Sequence, residues 1–350
     1  MKNLAISPDA TIRQAMEILD KSKEKCLAVT DERGKLLGTL AYADLRRSIL
    51  AGLVFNSSIE RSYNRNPTVL VQGRFTDSEA REKLKNPKNK MIPIIDYSGR
   101  YLSYLSWDQE SKTDGEEGNE TLNASVVIMA GGRGTRLEPF TKVLPKPLIP
   151  VNGKAIIEHI IERFTAYGVN DFKITVNYKS RILKAYFEDI KPGYSVHFIE
   201  EEEPLGTCGS LKFLKGVIDK PFIVTNCDIL IDTDYIDFYK FHLNYGYGIS
   251  LVASLKEYVI PYGTCELNGD GHLNRINEKP EYHFLVNTGM YILNPAVLDL
   301  IPDKKLYHLT DLIGDSKRKG LKVGVYPISE SAWIDIGQWN EYHKAVEKFL

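Results

Sequence analysis

Apolar positions along the chain form short runs, and the order of those runs divides it in two. Ala10 to Ala15 opens an amphipathic helix, Leu27-Ala28-Val29 predicts a strand, and Asp31-Glu32-Arg33-Gly34-Lys35 predicts a turn. Leu36-Leu37-Gly38-Thr39-Leu40 then predicts a second strand and Asp44-Leu45-Arg46 a second helix. The same series returns as a helix around Ser78 to Leu84, a strand Met91 to Ile95, a turn Asp96 to Arg100 and a strand Tyr101 to Leu105. A motif of helix, strand, Asp-x-x-Gly turn and strand used twice predicts paired α+β units that bury each other's apolar faces.

Residues 109–123 (QESKTDGEEGNETLN) are polar and acidic, with too little apolar surface to order themselves, and predict a linker. Beyond them strands and helices alternate. Ser125 to Ile128, Phe172 to Val176, Val196 to Ile199 and Phe222 to Thr225 read as strands; Ala155 to Phe164, Ser180 to Phe187 and a segment opened by Ser210 to Leu214 read as helices. This rhythm predicts an α/β fold, a mostly parallel Rossmann-like sheet with helices on both faces. The expected domains are 1–108, the linker 109–123, and 124–350.

Composition removes several classes of function. Of 350 residues, 43% are hydrophobic and 26% charged, and the formal net charge is -1. No bulk field draws the chain to nucleic acid or to anionic lipid, so neither is an expected partner. No run is long enough for a membrane-spanning helix, and the N-terminus carries no signal-peptide pattern; the expected location is the cytoplasm. Cys26, Cys208, Cys227 and Cys265 lack metal-ligand spacing and read as reduced thiols.

Candidate chemistry concentrates where strands end, which is where ligands bind in such sheets. The strand Ser125 to Ile128 empties into Gly131-Gly132-Arg133-Gly134-Thr135-Arg136. Glycines there let backbone N–H groups approach a phosphate, while Arg136 and Lys146 supply a forked and a compact cation. The loop is neither the dinucleotide fingerprint nor a Walker A loop, because its glycines run G-G-x-G and no Gly-Lys-Ser/Thr follows.

The longer string Met129 to Val151, MAGGRGTRLEPFTKVLPKPLIPV, resembles the signature of the sugar-1-phosphate nucleotidyltransferases. The resemblance covers roughly Ser125 to Tyr342. It implies a reaction of a nucleoside triphosphate with a sugar-1-phosphate, with Arg136 and Lys146 as catalytic cations. Ala130, Gly131, Gly132, Gly134 and Thr135 would hold the nucleotide. Leu205-Gly206-Thr207-Cys208-Gly209 resembles the family's base-recognition turn, with Cys208 where the pattern has Ala, so Gly206, Thr207 and Gly209 join the nucleotide set. Asn226-Cys227-Asp228 and Ile334-Asp335-Ile336 resemble its two metal segments, implying Mg²⁺ on Asp228 and Asp335, since that ion takes carboxylate oxygens beside substrate phosphates. Pro261-Tyr262-Gly263, Asn277-Glu278-Lys279-Pro280 and Val286-Asn287-Thr288 resemble its sugar side, implying contacts from Gly263, Glu278, Lys279, Asn287 and Thr288.

The repeated first region resembles a tandem pair of CBS domains, a family whose pairs often bind adenine nucleotides. Its first ligand motif, Gly38 to Asp44, keeps Asp44 but has Ala41 in place of a hydroxyl residue; its second, Ser103 to Gln109, has Gln109 in place of the Asp. An adenine-nucleotide site at Asp44 and a ligand-free packing module are both open. The signature, together with Leu-Gly-Thr-x-Gly, is closer to the guanylyl branch. A CBS pair ahead of it is similar to the glucosamine-1-phosphate guanylyltransferases of legionaminic acid synthesis. The expected substrates are therefore GTP and glucosamine-1-phosphate; mannose-1-phosphate, heptose-1-phosphate and UTP are alternatives, and the expected assembly is a homo-oligomer. A non-catalytic nucleotide-sensing subunit is the alternative of another class; it would be expected to lose Arg136, Lys146, Asp228 or Asp335, and all four are present.

Overall fold

The repeat read in the first region folds into two sheets of like topology. In a computed structural model, residues 4–346 are described apart from 23, 85, 87–88, 107–119, 340 and 344–345. The chain divides into units Met1–Gly118 and Asn119–Leu350.

In the first unit, one copy comprises β1 (Ala5–Ile6), α1 (Ile12–Ser22), β2 (Cys26–Thr30), β3 (Leu36–Ala41) and α2 (Tyr42–Leu50). The other comprises β4 (Leu70–Val71), α3 (Asp77–Leu84), β5 (Ile92–Ile95) and β6 (Tyr101–Leu105). In both sheets the first pairing is parallel and the second antiparallel. Helix α1 buries Ile12, Ala15, Met16 and Leu19, one helical face. The two Asp-x-x-Gly turns are built alike. Asp31 Oδ1 accepts the N–H groups of Arg33 at 2.9 Å and Lys35 at 2.8 Å. Asp96 Oδ1 does the same for Ser98 at 2.8 Å and Arg100 at 2.9 Å. The copies then join turn to turn, Leu36 N–H donating to Gly99 O at 3.0 Å and Tyr101 N–H to Gly34 O at 2.9 Å.

The second unit runs β7 (Val126–Met129), α4 (Phe140–Val143), β8 (Pro150–Val151), β9 (Lys154–Ala155), α5 (Ile156–Thr165), β10 (Asp171–Val176), α6 (Ser180–Ile190) and β11 (Ser195–Glu200). It continues with β12 (Phe222–Asn226), β13 (Ile229–Ile231), α7 (Tyr235–Tyr245), β14 (Ile249–Val259), β15 (Thr264–Leu267), β16 (Leu273–Asn277), β17 (Glu281–Leu293), α8 (Leu309–Arg318), β18 (Val323–Ile328) and β19 (Trp333–Asp335). Seven strands make the central sheet, in the order β11-β10-β7-β12-β17-β14-β18. All neighbours pair in parallel except β17, which is antiparallel to β12 and β14. The mostly parallel sheet expected from the sequence is present.

Strand β7 shows why the sheet is covered on both faces. Val126, Val127 and Ile128 are all fully buried. Val126 and Ile128 join the core that holds Ile160, Phe164 and Phe172; Val127 joins the opposite one, with Leu211, Phe222 and Leu312. A strand buried on both faces reads as an unbroken apolar run rather than an alternating one.

Two expectations change. The helix opened by Ser210 to Leu214 is a 3-10 turn, Gly209–Leu214, whose Leu211 and Leu214 meet the core at the three-residue spacing of that helix. The linker expected over 109–123 lies outside the described residues through 119, but its end is ordered. Leu122 is buried, and its N–H donates to Tyr167 O at 2.9 Å. Trp107 to Gln109 of the second CBS motif, and most of the helix expected over 340–350, also lie outside the described residues. No helix among the described residues is long and apolar enough to cross a membrane.

Candidate active site

The glycine loop leaves β7 at the carboxyl edge of the sheet. Ala130 is anchored by its N–H, which donates to Thr175 O at 3.0 Å. Gly134 then takes a left-handed conformation with φ of 67°, and a Cβ there would lie 2.8 Å from Thr141 Cγ2 and 3.1 Å from Lys146 Cβ. Thr141 is buried and donates its hydroxyl to Gly134 O at 3.0 Å. No side chain fits at Gly134, so the loop closes directly onto the stem of Lys146. Gly132 and Thr135 are exposed on the loop, and Gly132 has open space around it.

Two distant carboxylates are brought together by one short ladder. β13 and β19 pair antiparallel with Ile229 opposite Asp335, and Ile336 N–H donates to Asp228 O at 2.8 Å. The Lys146 ammonium is ion-paired with Asp228 Oδ2; their side chains are 11% and 9% exposed. A Cβ on Gly337 would lie 2.5 Å from Asp228 Oδ2, 2.8 Å from Asp335 Oδ1 and 3.3 Å from Lys146 Nζ. Lys146, Asp228 and Asp335 therefore converge over the bare backbone of Gly337. Burial raises the pKa of the Asp335 carboxyl above the ordinary value; the N–H of Gly337, donating to Oδ1 at 2.7 Å, opposes this, Asp228 reinforces it, and Lys146 and Arg136 oppose it. Arg136 is thus close enough to be felt by the carboxylate pair while remaining exposed to solvent.

Hard oxygen donors that converge from the turn between β12 and β13 and from β19, beside a phosphate-type loop, suit a divalent cation whose remaining ligands are substrate phosphates. Among the described residues a separate cluster, Glu257, Glu281 and His283, also gathers potential ligands, but on the exposed extension of β14 and β17. Cys227 is buried, with its thiol pushed up to about 12, so it is inert beside the pair.

The expected base-recognition turn packs against the start of α8. The N–H groups of Thr207, Cys208 and Gly209 donate to His308 Nδ1 at 3.5 Å, Tyr307 O at 3.1 Å and Leu205 O at 3.2 Å. Gly206, with φ of 82°, lies so close to Tyr307 that a Cβ would stand 2.6 Å from its carbonyl. Two of these donors tie the turn to the segment ahead of α8, and the third closes the turn on itself. Glu201 is a further buried polar group beside this turn. It is 8% exposed, accepts the Leu205 N–H at 3.3 Å, and both its oxygens would lie 3.3 Å from a Cβ on Gly131.

On the sugar side the picture is mixed. Gly263 and Glu278 are adjacent, a Cβ on the former falling 2.9 Å from Glu278 Oε2. Lys279 is exposed with φ of 44°, a strained value outside glycine. Asn287 is exposed and bonds Tyr291 OH at 2.7 Å. Thr288 is buried and donates its hydroxyl to Val252 O at 2.9 Å. Gly289, next to it, lets β17 pass the end of β12; a Cβ there would meet Asn226 Nδ2 at 2.5 Å. In the first unit Asp44 is already engaged, accepting the Ala41 N–H at 2.9 Å and pairing with Arg47 at the start of α2.

The C-terminal segment closes over the signature loop. Trp339 donates its indole N–H to Glu138 O at 2.9 Å and packs on Phe140 with ring centroids 5.0 Å apart, while Tyr342 OH donates to Pro150 O at 2.9 Å. Asp335 is thereby tied to the loop it would serve.

Comparison with known proteins agrees with this geometry. Residues 125–350 match the nucleotidyl transferase family model, and residues 1–51 match that of the CBS domain. A mannose-1-phosphate guanyltransferase of Candida albicans is 35% identical over 232 residues, 62% of this chain; the chain spans 62% of that relative's length. The crystal structure of HddC from Yersinia pseudotuberculosis is similar at 30% identity with a TM-score of 0.52, covering 65% of this chain and 100% of that one. The structure of HddC complexed with GMP-PN, with the same identity and coverage, gives a TM-score of 0.50.

Proposed function

The chain belongs to the nucleotidyl transferase family, and we propose that it transfers guanylyl from GTP to a sugar-1-phosphate, giving a GDP-sugar and pyrophosphate. One observation carries the reading: Lys146, Asp228 and Asp335 converge at Gly337, beside the loop that ends β7.

In this reaction an anionic oxygen of the sugar phosphate attacks the α-phosphorus in line. The bond to the β-phosphate breaks, and pyrophosphate leaves with its electron pair. The nucleophile is already ionised, so no general base is needed, and catalysis consists of positioning and charge neutralisation. Backbone amides from Gly131 to Thr135 cradle the triphosphate. Lys146 neutralises the α-phosphate and Arg136 the leaving pyrophosphate. Lys279 and Asn287 hold the sugar phosphate, with Gly263 and Glu278 at the sugar. Asp228 and Asp335 would hold Mg²⁺, which when bound supplies further charge neutralisation at the phosphates.

Glu201 supports guanine over uracil. Guanine presents two adjacent donors, N1–H and the 2-amino group, and a buried carboxylate is acceptor-only. For the sugar, the Candida albicans relative supports mannose-1-phosphate. The second reading, glucosamine-1-phosphate, rests on the similarity of a CBS pair ahead of this domain to the glucosamine-1-phosphate guanylyltransferases. We read the first unit as a tandem CBS pair on its repeated sheet order; a thermal shift with AMP or ATP that is lost in Asp44→Ala would support a nucleotide site there. The test of the main reading is pyrophosphate release across four nucleoside triphosphates and a panel of sugar-1-phosphates. GTP with mannose-1-phosphate or glucosamine-1-phosphate should lead; no release from any pair overturns it.

A further inference from the structure

We infer that Lys146 is a placeholder cation: it keeps Asp228 closed to a divalent ion until a triphosphate draws it away. The inference rests on the proposed reading of this site as metal-dependent nucleotidyl transfer. The Lys146 ammonium is paired with Asp228 Oδ2, and that oxygen and Asp335 Oδ1 would lie 2.5 Å and 2.8 Å from a Cβ on Gly337. The lysine therefore occupies one of the two carboxylates that a shared cation would need, with Asp335 beside it across Gly337. An ammonium and a divalent ion cannot occupy that oxygen together, because like charges at contact distance in a nearly buried site repel strongly.

The means of release is built into the local chain. Lys146 opens a short 3-10 turn, Lys146–Leu148, between Pro145 and Pro147, which fixes its backbone. Its Cβ packs under Gly134, so the stem starts beside the glycine loop and the head reaches Asp228. A four-carbon stem lets the head swing without moving the backbone. Phosphate oxygens arriving on the loop side compete for the ammonium; as it leaves Asp228, both carboxylates become available to the ion that accompanies the triphosphate. Loading is thus ordered by charge: the site takes its ion with the nucleotide and binds free ion poorly. By reciprocity, the factor by which the triphosphate tightens the ion is the factor by which the ion tightens the triphosphate.

The test titrates Mn²⁺ into full-length protein without nucleotide and reads free Mn²⁺ by electron paramagnetic resonance. Wild type should bind weakly. Lys146→Met and Lys146→Gln should each bind about 10- to 100-fold more tightly, the usual span of coupling between two ligands. Lys146→Arg should stay weak, and adding Asp228→Asn to Lys146→Met should abolish the gain. Equal affinity in wild type and Lys146→Met, dependent on Asp228 in both, overturns the placeholder role and leaves the proposed function standing. A second arm adds a non-hydrolysable GTP analogue to wild type and Asp228→Asn. If Asp228 makes no difference to Mn²⁺ uptake even then, the metal reading itself falls, and the inference with it.

Discussion

Replacing Glu201 with glutamine should invert part of the base preference. The residue is nearly buried at the foot of the glycine loop, and its one hydrogen-bond donor described here is the Leu205 N–H, at 3.3 Å. A carboxylate has about four lone-pair sites, so capacity remains for two guanine donors. Hydrogen bonds to a charged group are worth about 1.5–3 kcal/mol each. Glutamine keeps one acceptor and turns an NH₂ toward the second donor, so at least one bond is lost and a donor faces a donor. A total of about 3–4 kcal/mol corresponds to a fall of about 100- to 1000-fold in kcat/KM for GTP. UTP should suffer less, because uracil offers carbonyl acceptors to the new amide. The assay is pyrophosphate release with each triphosphate at a fixed sugar phosphate, after circular dichroism has shown the variant to be folded. An unchanged ratio of GTP to UTP efficiency would refute the placement of the base at Glu201.

Three further outcomes are expected. Gly337→Ala places a methyl 2.5 Å from Asp228 Oδ2, and the exclusion of the carboxylate geometry should lower turnover by at least about 100-fold, the effect of losing one electrostatic contact; turnover near wild type would show that the convergence is not used. Burial raises the pKa of Asp335, so the folded state holds its proton to higher pH than the unfolded chain does. Ionising it therefore costs stability above the ordinary aspartate range. Metal-free Asp335→Asn should melt higher than wild type at pH 7, and the gap should close as pH falls through that range. Phe164 is fully buried and stacked on Tyr235 at 4.5 Å, so Phe164→Ala should cost about 3–5 kcal/mol in urea unfolding.

How much was legible in the sequence depended on how local each signal is. The loop from Gly131 to Arg136 could be read because glycine and cation positions are close in the chain, and β7 and β12 because apolar runs rich in β-branched residues mark strands buried on both faces. Strand β17 gave no such signal, since it passes from exposed Tyr282 and Phe284 to buried Ile292 and Leu293. Asp335 could be suggested only through family resemblance; what sets it beside Asp228 is the β13–β19 pairing, which no local pattern records. Nor does any local pattern record that the Thr288 hydroxyl turns inward to the carbonyl of Val252. Gly337 was missed because the need for a bare backbone exists only once Lys146, Asp228 and Asp335 arrive around it.

The most direct measurement supplies GTP, Mg²⁺ and mannose-1-phosphate or glucosamine-1-phosphate whose phosphoryl oxygens carry oxygen-18, and follows the products by mass spectrometry. Attack by the sugar phosphate on the α-phosphorus should leave all label in the GDP-sugar and none in the pyrophosphate. Label in the pyrophosphate, or GTP consumed without any GDP-sugar, would contradict it.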